Sequence, residues 1–157
     1  MIRRGDSLLL LNRQSAPYMG SWNGVGGKIE AGESEEAGVL REVLEETGIA
    51  LPGVRYKGLV TWTIDGGRYG GMHAFLSDLP EDFLYATPIA TDEGILDWKR
   101  IEWIMHPANQ GVAHNLPHFL KRMLEDDGLY DHQCVFTNGA LVSVQSVPLQ
   151  TREKARA

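Results

Sequence analysis

Hydrophobic positions fall in short blocks along this chain, and their period changes from block to block. Met1 to Arg4, then Gly5-Asp6, then Ser7 to Arg13 read as strand, tight turn and strand. The first strand is very short, which predicts either a clipped sheet edge or a start placed inside the strand. From Ser34 to Thr47 the period is helical. Ser34 suits the N-cap, Glu35 and Glu36 sit where the macrodipole favours anions, and Gly48 is a natural stop. Ala37, Leu40, Val43 and Leu44 recur every three or four residues and predict one apolar face. Beyond Pro52-Gly53, strand-like runs from Lys57 to Ile64 and from Arg68 to Ser77 flank Asp65-Gly66-Gly67. A loop through Thr91-Asp92-Glu93-Gly94 leads to a further apolar run, Ile95 to Ile101, and Leu116 to Leu124 fits a short helix. The chain closes on a hairpin, Gln133 to Thr137 and Ala140 to Val147, around Asn138-Gly139. Strands on both sides of a central helix, with a second helix late, predict an α/β sandwich built on a mixed sheet. Neither a repeat nor a linker interrupts it. One domain is expected over 1–148, followed by a polar, frayed tail over 149–157.

Composition narrows the class. At 157 residues with 43% apolar and 23% charged positions, the chain is long enough for one real core and reads as soluble and globular. Its longest aliphatic run, Leu8 to Leu11, is far below the roughly 20 residues of a membrane-spanning helix. Cys134 is the single cysteine, so no disulfide forms within the chain, and a reducing cytoplasm is the expected compartment. A net charge of −6, from 15 basic and 21 acidic residues, argues against a broad grip on a nucleic-acid polymer. It leaves room for a small phosphorylated ligand at one site. The acid is concentrated: seven glutamates lie between Glu30 and Glu46, directly after the glycine-dense stretch from Gly20 to Gly27.

That concentration has chemical content. On the Ser34–Thr47 helix, Glu42, Glu45 and Glu46 stand at i, i+3 and i+4 and fall in one narrow sector. Like charges so placed weaken a helix by a few tenths of a kcal/mol. Exposed charge on a helix is ordinarily just a solvated face. A hard divalent cation among the carboxylates reverses the sign of the interaction, and Mg²⁺ in particular is held by a few carboxylates, waters and substrate phosphates. The preceding Gly24-Val25-Gly26-Gly27-Lys28 lets backbone approach a ligand closely, and Lys28 supplies a point charge suited to phosphate. Arg41, four residues before Glu45, is placed to orient or neutralise carboxylates.

The whole segment has a specific spacing. Gly27, Glu33, Arg41, Glu42, Val43, Glu45, Glu46, Gly48 and Ile49 fill, without a mismatch, the pattern G-x5-E-x7-R-E-U-x-E-E-x-G-U, with U a bulky aliphatic. Chance would produce it roughly once in 10⁹ windows. It resembles the Nudix box of the MutT-like hydrolases. That resemblance implies an α/β/α sandwich around a mixed β-sheet, and hydrolysis of a nucleoside diphosphate linked to another moiety with one to three Mg²⁺ or Mn²⁺ ions. It implies that Glu42, Glu45, Glu46 and the Gly26 carbonyl are metal ligands, that Arg41 orients the cluster with Glu33 in support, and that Lys28 contacts phosphate. It implies two candidates for the general base, Glu42 and the later Glu93, since related enzymes often carry a late acidic loop residue that reaches the metals.

Outside the box the similarity is looser. Trp22-Asn23-Gly24-Val25-Gly26-Gly27-Lys28 resembles the entry to the box in enzymes that hydrolyse oxidised purine nucleoside triphosphates to monophosphate and pyrophosphate. In some of these relatives the asparagine matching Asn23 hydrogen-bonds the base, a role its donor and acceptor suit. Human-type relatives also read the purine with an adjacent acidic pair, whereas the comparable Pro107-Ala108-Asn109-Gln110-Gly111 carries amides. Trp62, Tyr69, Trp103 and Phe136 are either base-stacking residues or core. Arg13 is a candidate phosphate contact or a surface residue. His73, His106, His114, His118 and His132 have no zinc-type spacing, and Cys134 reads as a small buried hydrophobe. Three functions remain: a nucleoside triphosphate pyrophosphohydrolase, an ADP-ribose or nucleotide-sugar pyrophosphatase, or a Nudix-fold module that senses a nucleotide without cleaving it. The full set of carboxylates disfavours the sensor. The expected partner is a nucleotide, with no nucleic-acid polymer and no membrane, and the chain is expected to act as a monomer or homodimer.

Overall fold

The four leucines from Leu8 to Leu11 are at most 3% exposed, because they lie in a sheet covered on both faces, where a continuous apolar run replaces alternation. The structure is a computed structural model and describes residues 1–150. In chain order the elements are β1 (Ile2–Arg4), β2 (Ser7–Arg13), β3 (Trp22–Asn23), α1 (Glu35–Thr47), β4 (Arg55–Ile64), β5 (Arg68–Leu79), β6 (Ile89–Thr91), β7 (Gly94–Arg100), α2 (Ile101–Ile104), α3 (Leu116–Glu125), β8 (Tyr130–Thr137) and β9 (Ala140–Pro148). The strands form one mixed sheet in the order β6-β7-β2-β1-β5-β4-β8-β9, with β3 paired to β2. The β1–β5 and β4–β8 pairs are parallel and the remainder antiparallel.

Successive leucines of β2 point to opposite faces. Leu8 and Leu10 join Val60, Leu76, Phe119 and Leu120 on the α3 side. Leu9 and Leu11 join Ile2, Val43, Ile49 and Leu96 on the α1 side. Each fully buried aliphatic side chain contributes roughly 1.5–3 kcal/mol, so β2 anchors both layers of the α/β/α sandwich. Among the described residues no helix is long and apolar enough to cross a membrane.

Several sequence expectations are corrected. β1 is no clipped edge: it lies between β2 and β5, with Ile2 opposite Leu9 on one side and Ser77 on the other. The short β3, β6 and α2 were not anticipated, and the run read as Ile95 to Ile101 is a strand from Gly94 to Arg100, with Ile101 opening α2. α1 is capped as expected: Ser34 Oγ accepts from Ala37 N at 3.1 Å, and Gly48, at φ 74°, donates to Leu44 O. Its buried positions, however, are Gly38, Val43 and Thr47, and Leu44 is 51% exposed. The helix is rolled so that Gly38 meets the loop before it, where an added Cβ would come within 3.0 Å of Glu33 Oε2. Of the expected tail, Leu149 still donates to Leu129 O at 2.8 Å, and 151–157 lie outside the described residues.

Candidate active site

The C-terminal half of α1 and the loop joining β3 to that helix meet over the carboxylates. Glu42 lies directly against Gly27, where an added Cβ would come within 2.6 Å of Glu42 Oε1 and closer still to Oε2. Only glycine admits the side chain there. Gly26 adopts φ 147°, a conformation that favours glycine, and its N–H donates to Glu46 Oε2 at 3.2 Å. Loop and helix are thereby joined through the two carboxylates that the spacing had placed on one face.

Arg41 organises the outer side of this cluster. Its Nε and Nη2 donate to the two oxygens of Glu33 at 2.9 and 3.1 Å, a bidentate geometry that lysine does not reproduce. Nη1 donates to Glu42 Oε1 at 2.9 Å and Glu45 Oε2 at 3.1 Å, and Nη2 also donates to Lys28 O at 3.0 Å. Glu33 in turn accepts from Glu30 N. The hydrogen bonds from Arg41, with that backbone N–H, hold the Glu33 carboxyl below the usual carboxylate range, and the same carboxylates hold the guanidinium protonated. Glu33 lies outside the helix, so this link is invisible to helical spacing.

Glu46 is not among the partners of Arg41 and accepts from Gly26 N instead. Burial pushes its carboxyl up to about 7, with nearby Glu42 and Glu93 adding to the rise against the Gly26 N–H and Arg13, which oppose it. Glu93 therefore shares the field of Glu46. It occupies the two-residue turn of the β6–β7 hairpin, with Glu93 N donating to Thr91 Oγ1 and Glu93 O accepting from Gln14 N. The next residue, Gly94, has φ 143°, and a Cβ there would penetrate the Asn12 main chain. Arg13 Nε donates to Pro17 O at 3.0 Å.

Among the described residues, no three His, Cys, Asp or Glu side chains already converge on a metal-sized space. Glu42 and Glu45 are drawn to Arg41, while Glu45 is 60% exposed and Glu46 is turned to Gly26. The donor set nonetheless fits a hard divalent ion: carboxylate oxygens, an adjacent loop carbonyl and a half-buried acid crowded by like charge.

A cavity of about 510 Å³ opens beside this cluster, between the Asn23–Ile29 loop with the first turns of α1 and the Gly71–Phe75 stretch of β5. Asn23 and Lys28 line it. Asn23 Oδ1 accepts from Gly24 N at 2.8 Å, which leaves its amide donors for a ligand. Of the aromatic candidates, Trp62 and Phe136 pack against the core, Tyr69 is 73% exposed, and Trp103 stands with Trp22 around the Lys99 amine. His73, which has no zinc-type spacing in the sequence, takes a place in the site that this spacing does not indicate. It lines the cavity, with Nδ1 3.3 Å from Tyr56 Oη and Nε2 3.9 Å from Glu35. Its sequence signal is the Gly70-Gly71 pair inside a strand, which marks close approach.

Comparison with known proteins gives a consistent result. The NUDIX domain family model matches residues 1–126. An uncharacterized Nudix hydrolase of Bacillus subtilis (strain 168), YvcI, is 30% identical over 138 residues, 87% of this chain and 84% of its own length. The NAD-capped RNA hydrolase NudC of Haemophilus influenzae is 39% identical over 79 residues, 49% of this chain and only 29% of that protein. The crystal structure of a MutT protein from Bacillus halodurans superimposes with a TM-score of 0.73 at 29% identity, covering 93% of both chains.

Proposed function

Because the chain belongs to the NUDIX domain family and is a hydrolase of nucleotide-linked substrates, we propose that it is a Mg²⁺- or Mn²⁺-dependent pyrophosphohydrolase of nucleoside triphosphates, yielding monophosphate and pyrophosphate. Oxidised purine deoxynucleotides are the first candidates, on the Trp22–Lys28 entry to the box and the similarity to a MutT protein. The observation that carries the reading is the contact of Glu42 with Gly27 and of Glu46 with Gly26, which brings the helix carboxylates onto a glycine loop open to a cavity.

In this reading Glu42, Glu45, Glu46 and the Gly26 carbonyl hold the metal. The bound ion would neutralise phosphate oxygens and lower the pKa of a water. Arg41, fixed by Glu33, orients Glu42 and Glu45. Lys28 and Arg13 meet phosphate oxygens, and Asn23 offers its amide N–H groups to the base. Glu93 and Glu42 are the two candidates to accept the proton of the attacking water, and Glu93 has the more open approach, at the tip of its turn. Gly27 and Gly48 serve the geometry, the first by admitting Glu42 and the second by ending α1.

A second reading, hydrolysis of a dinucleotide or nucleotide-sugar pyrophosphate, is favoured by the match to NudC. A panel of dNTPs, 8-oxo-dGTP, ADP-ribose, NAD and dinucleoside polyphosphates with Mg²⁺, scored by phosphate products, separates the two. Triphosphates are expected to turn over fastest. Faster cleavage of the dinucleotides selects the second reading, and nucleotide binding without any turnover overturns both.

A further inference from the structure

β3 is two residues long, too short to hold itself in place. On one side it pairs with β2, Leu11 opposite Asn23 and Asn12 opposite Trp22. On the other, Trp22 N donates to Gly111 O at 2.8 Å and Ala113 N donates to Trp22 O at 2.9 Å. Its two side chains point to opposite faces of the sheet. Asn23 lines the cavity, while Trp22 packs against the α3-side core.

The Trp22 indole meets a charge there. Asp97 and Lys99 of β7 stand opposite Leu10 and Leu8, the α3-side leucines of β2, so an ion pair lies beside an apolar row. Lys99 Nζ donates to Asp97 Oδ2 at 2.8 Å, and Asp97 Oδ1 accepts from Thr87 Oγ1 at 2.6 Å. The two side chains are only 23% and 25% exposed, and a pair so far removed from water is a poor source of stability by itself. What it does is fix the ammonium, 4.1 Å from the Trp22 ring centroid and 5.5 Å from that of Trp103, both within cation–π range. Trp103 is tied back to Trp22 by a second route. Its main-chain oxygen accepts from Asn109 Nδ2 at 2.8 Å, Asn109 Oδ1 accepts from Gly111 N at 2.8 Å, and Gly111 O holds Trp22 N.

We propose that Lys99 is a positioning residue for base recognition: its ammonium clamps the Trp22 and Trp103 indoles and thereby fixes the tilt of β3, on whose other face Asn23 meets the nucleotide base. The proposal rests on the role given to Asn23 in the nucleotide reading above. Lys99 is not among the described residues that line the cavity, so it acts through Trp22 rather than on the substrate. The setting is passed on directly, because one planar peptide unit joins the Cα atoms of Trp22 and Asn23. Without the cation β3 is free to twist, which spreads the Asn23 amide over a range of orientations and weakens its hydrogen bonds to the base. The carboxylates of α1 are untouched. The signature therefore falls on KM rather than kcat, and only for a substrate that carries a base.

The test compares Lys99→Met, which keeps the stem and removes the charge, with Lys99→Arg, which keeps a cation for the indoles. A double variant, Lys99→Met with Asp97→Asn, removes the carboxylate that Lys99→Met leaves without its partner. Steady-state kinetics with Mg²⁺ use the preferred nucleoside triphosphate and 1,2-dideoxyribose 5-triphosphate, which has no base. In Lys99→Met and in the double variant, KM for the nucleotide is expected to rise about fivefold to tenfold, with kcat and the KM of the base-free compound within about twofold of the parent. Amide exchange at Trp22 and Ala113 is expected to quicken at least about tenfold, and Lys99→Arg to restore both readouts. Parental KM in Lys99→Met, beside an active parent, overturns the clamp and leaves the nucleotide reading standing; a parent that cleaves no nucleotide overturns that reading and the clamp with it. An equal rise in KM for the base-free compound places Lys99 at the phosphates, and a raised KM with parental exchange places it at the base. Either result overturns the positioning role.

Discussion

Replacing Gly27 by alanine separates the geometry of the carboxylate cradle from the stability of the fold. An added Cβ would come within 2.6 Å of Glu42 Oε1 and closer to Cδ and Oε2, inside the roughly 3.5 Å of a relaxed contact. The carboxylate must retreat by about 1 Å or more. It cannot do so alone, because Arg41 Nη1 holds it at 2.9 Å while the same guanidinium grips Glu33 and Glu45. Misplacement on the order of 1 Å in a reacting site costs about 10²-fold in rate. Gly27 is not in the left-handed region, so alanine strains no backbone dihedral there. The expected Gly27→Ala enzyme has kcat reduced about 10²-fold, a raised Mg²⁺ requirement, and a melting temperature within a few degrees of the parent. Steady-state kinetics on the best panel substrate, a Mg²⁺ titration and a thermal melt measure all three. Gly53→Ala, where a Cβ would meet nothing within 4 Å, is the control and is expected to be silent. Parental kcat with an unchanged Mg²⁺ requirement in Gly27→Ala would refute the cradle.

The parts of the fold that were legible in the sequence are those fixed by local chemistry. Ser34, Glu35, Glu36 and Gly48 define α1 through hydrogen bonds and charge within a few residues, and both ends came out as read. The Asn138-Gly139 hairpin is equally local: both residues take positive φ, 50° and 77°. β3 and β6 are two and three residues long, too short to carry a period, and exist only because β2 and β7 offer them partners. The neighbours of β1 were illegible for the same reason. Its parallel pairing joins Ile2 to Ser77 across the chain, while its sequence announces only a strand.

The candidate site divides along the same line. Glu42, Glu45 and Glu46 follow from helical spacing, but the environment of each does not. Arg41 reaches Glu33 in the preceding loop, and Glu93 reaches the field of Glu46 from a hairpin nearly fifty positions later. The roll of α1 differs from the apolar period of Ala37, Leu40, Val43 and Leu44 because that period ignores Gly38, whose missing side chain lets the loop close on the helix. Spacing identified the acids; loop packing decides which way each one points.

Four further outcomes test the account. Glu45→Gln and Glu46→Gln are each expected to lower kcat by roughly 10²-fold or more with folding nearly intact, read by kinetics and circular dichroism; parental turnover in either sinks the metal assignment. Gly94→Ala is expected to destabilise by at least about 2 kcal/mol in urea unfolding, because its Cβ would enter the Asn12 main chain at φ 143°. Ser34→Ala is expected to cost about 1 kcal/mol through loss of the bond to Ala37 N, with kcat little changed. The last concerns pH. Burial pushes the Met1 amine down from 8.0 to about 6 while it donates to Phe75 O. Between pH 6 and 8 the unfolded chain thus holds a proton that the folded chain has released, and stability must rise with pH across that window. The gain from this group is at most about 2.7 kcal/mol, with none added above pH 8 or lost below pH 6. An Nα-acetylated chain keeps an N–H for Phe75 O and has no charge to desolvate. Urea unfolding of both forms at pH 5.5 and 8.5 should show the steeper rise in the free-amine form, and identical pH profiles would mean that the amine is solvated rather than buried in the sheet.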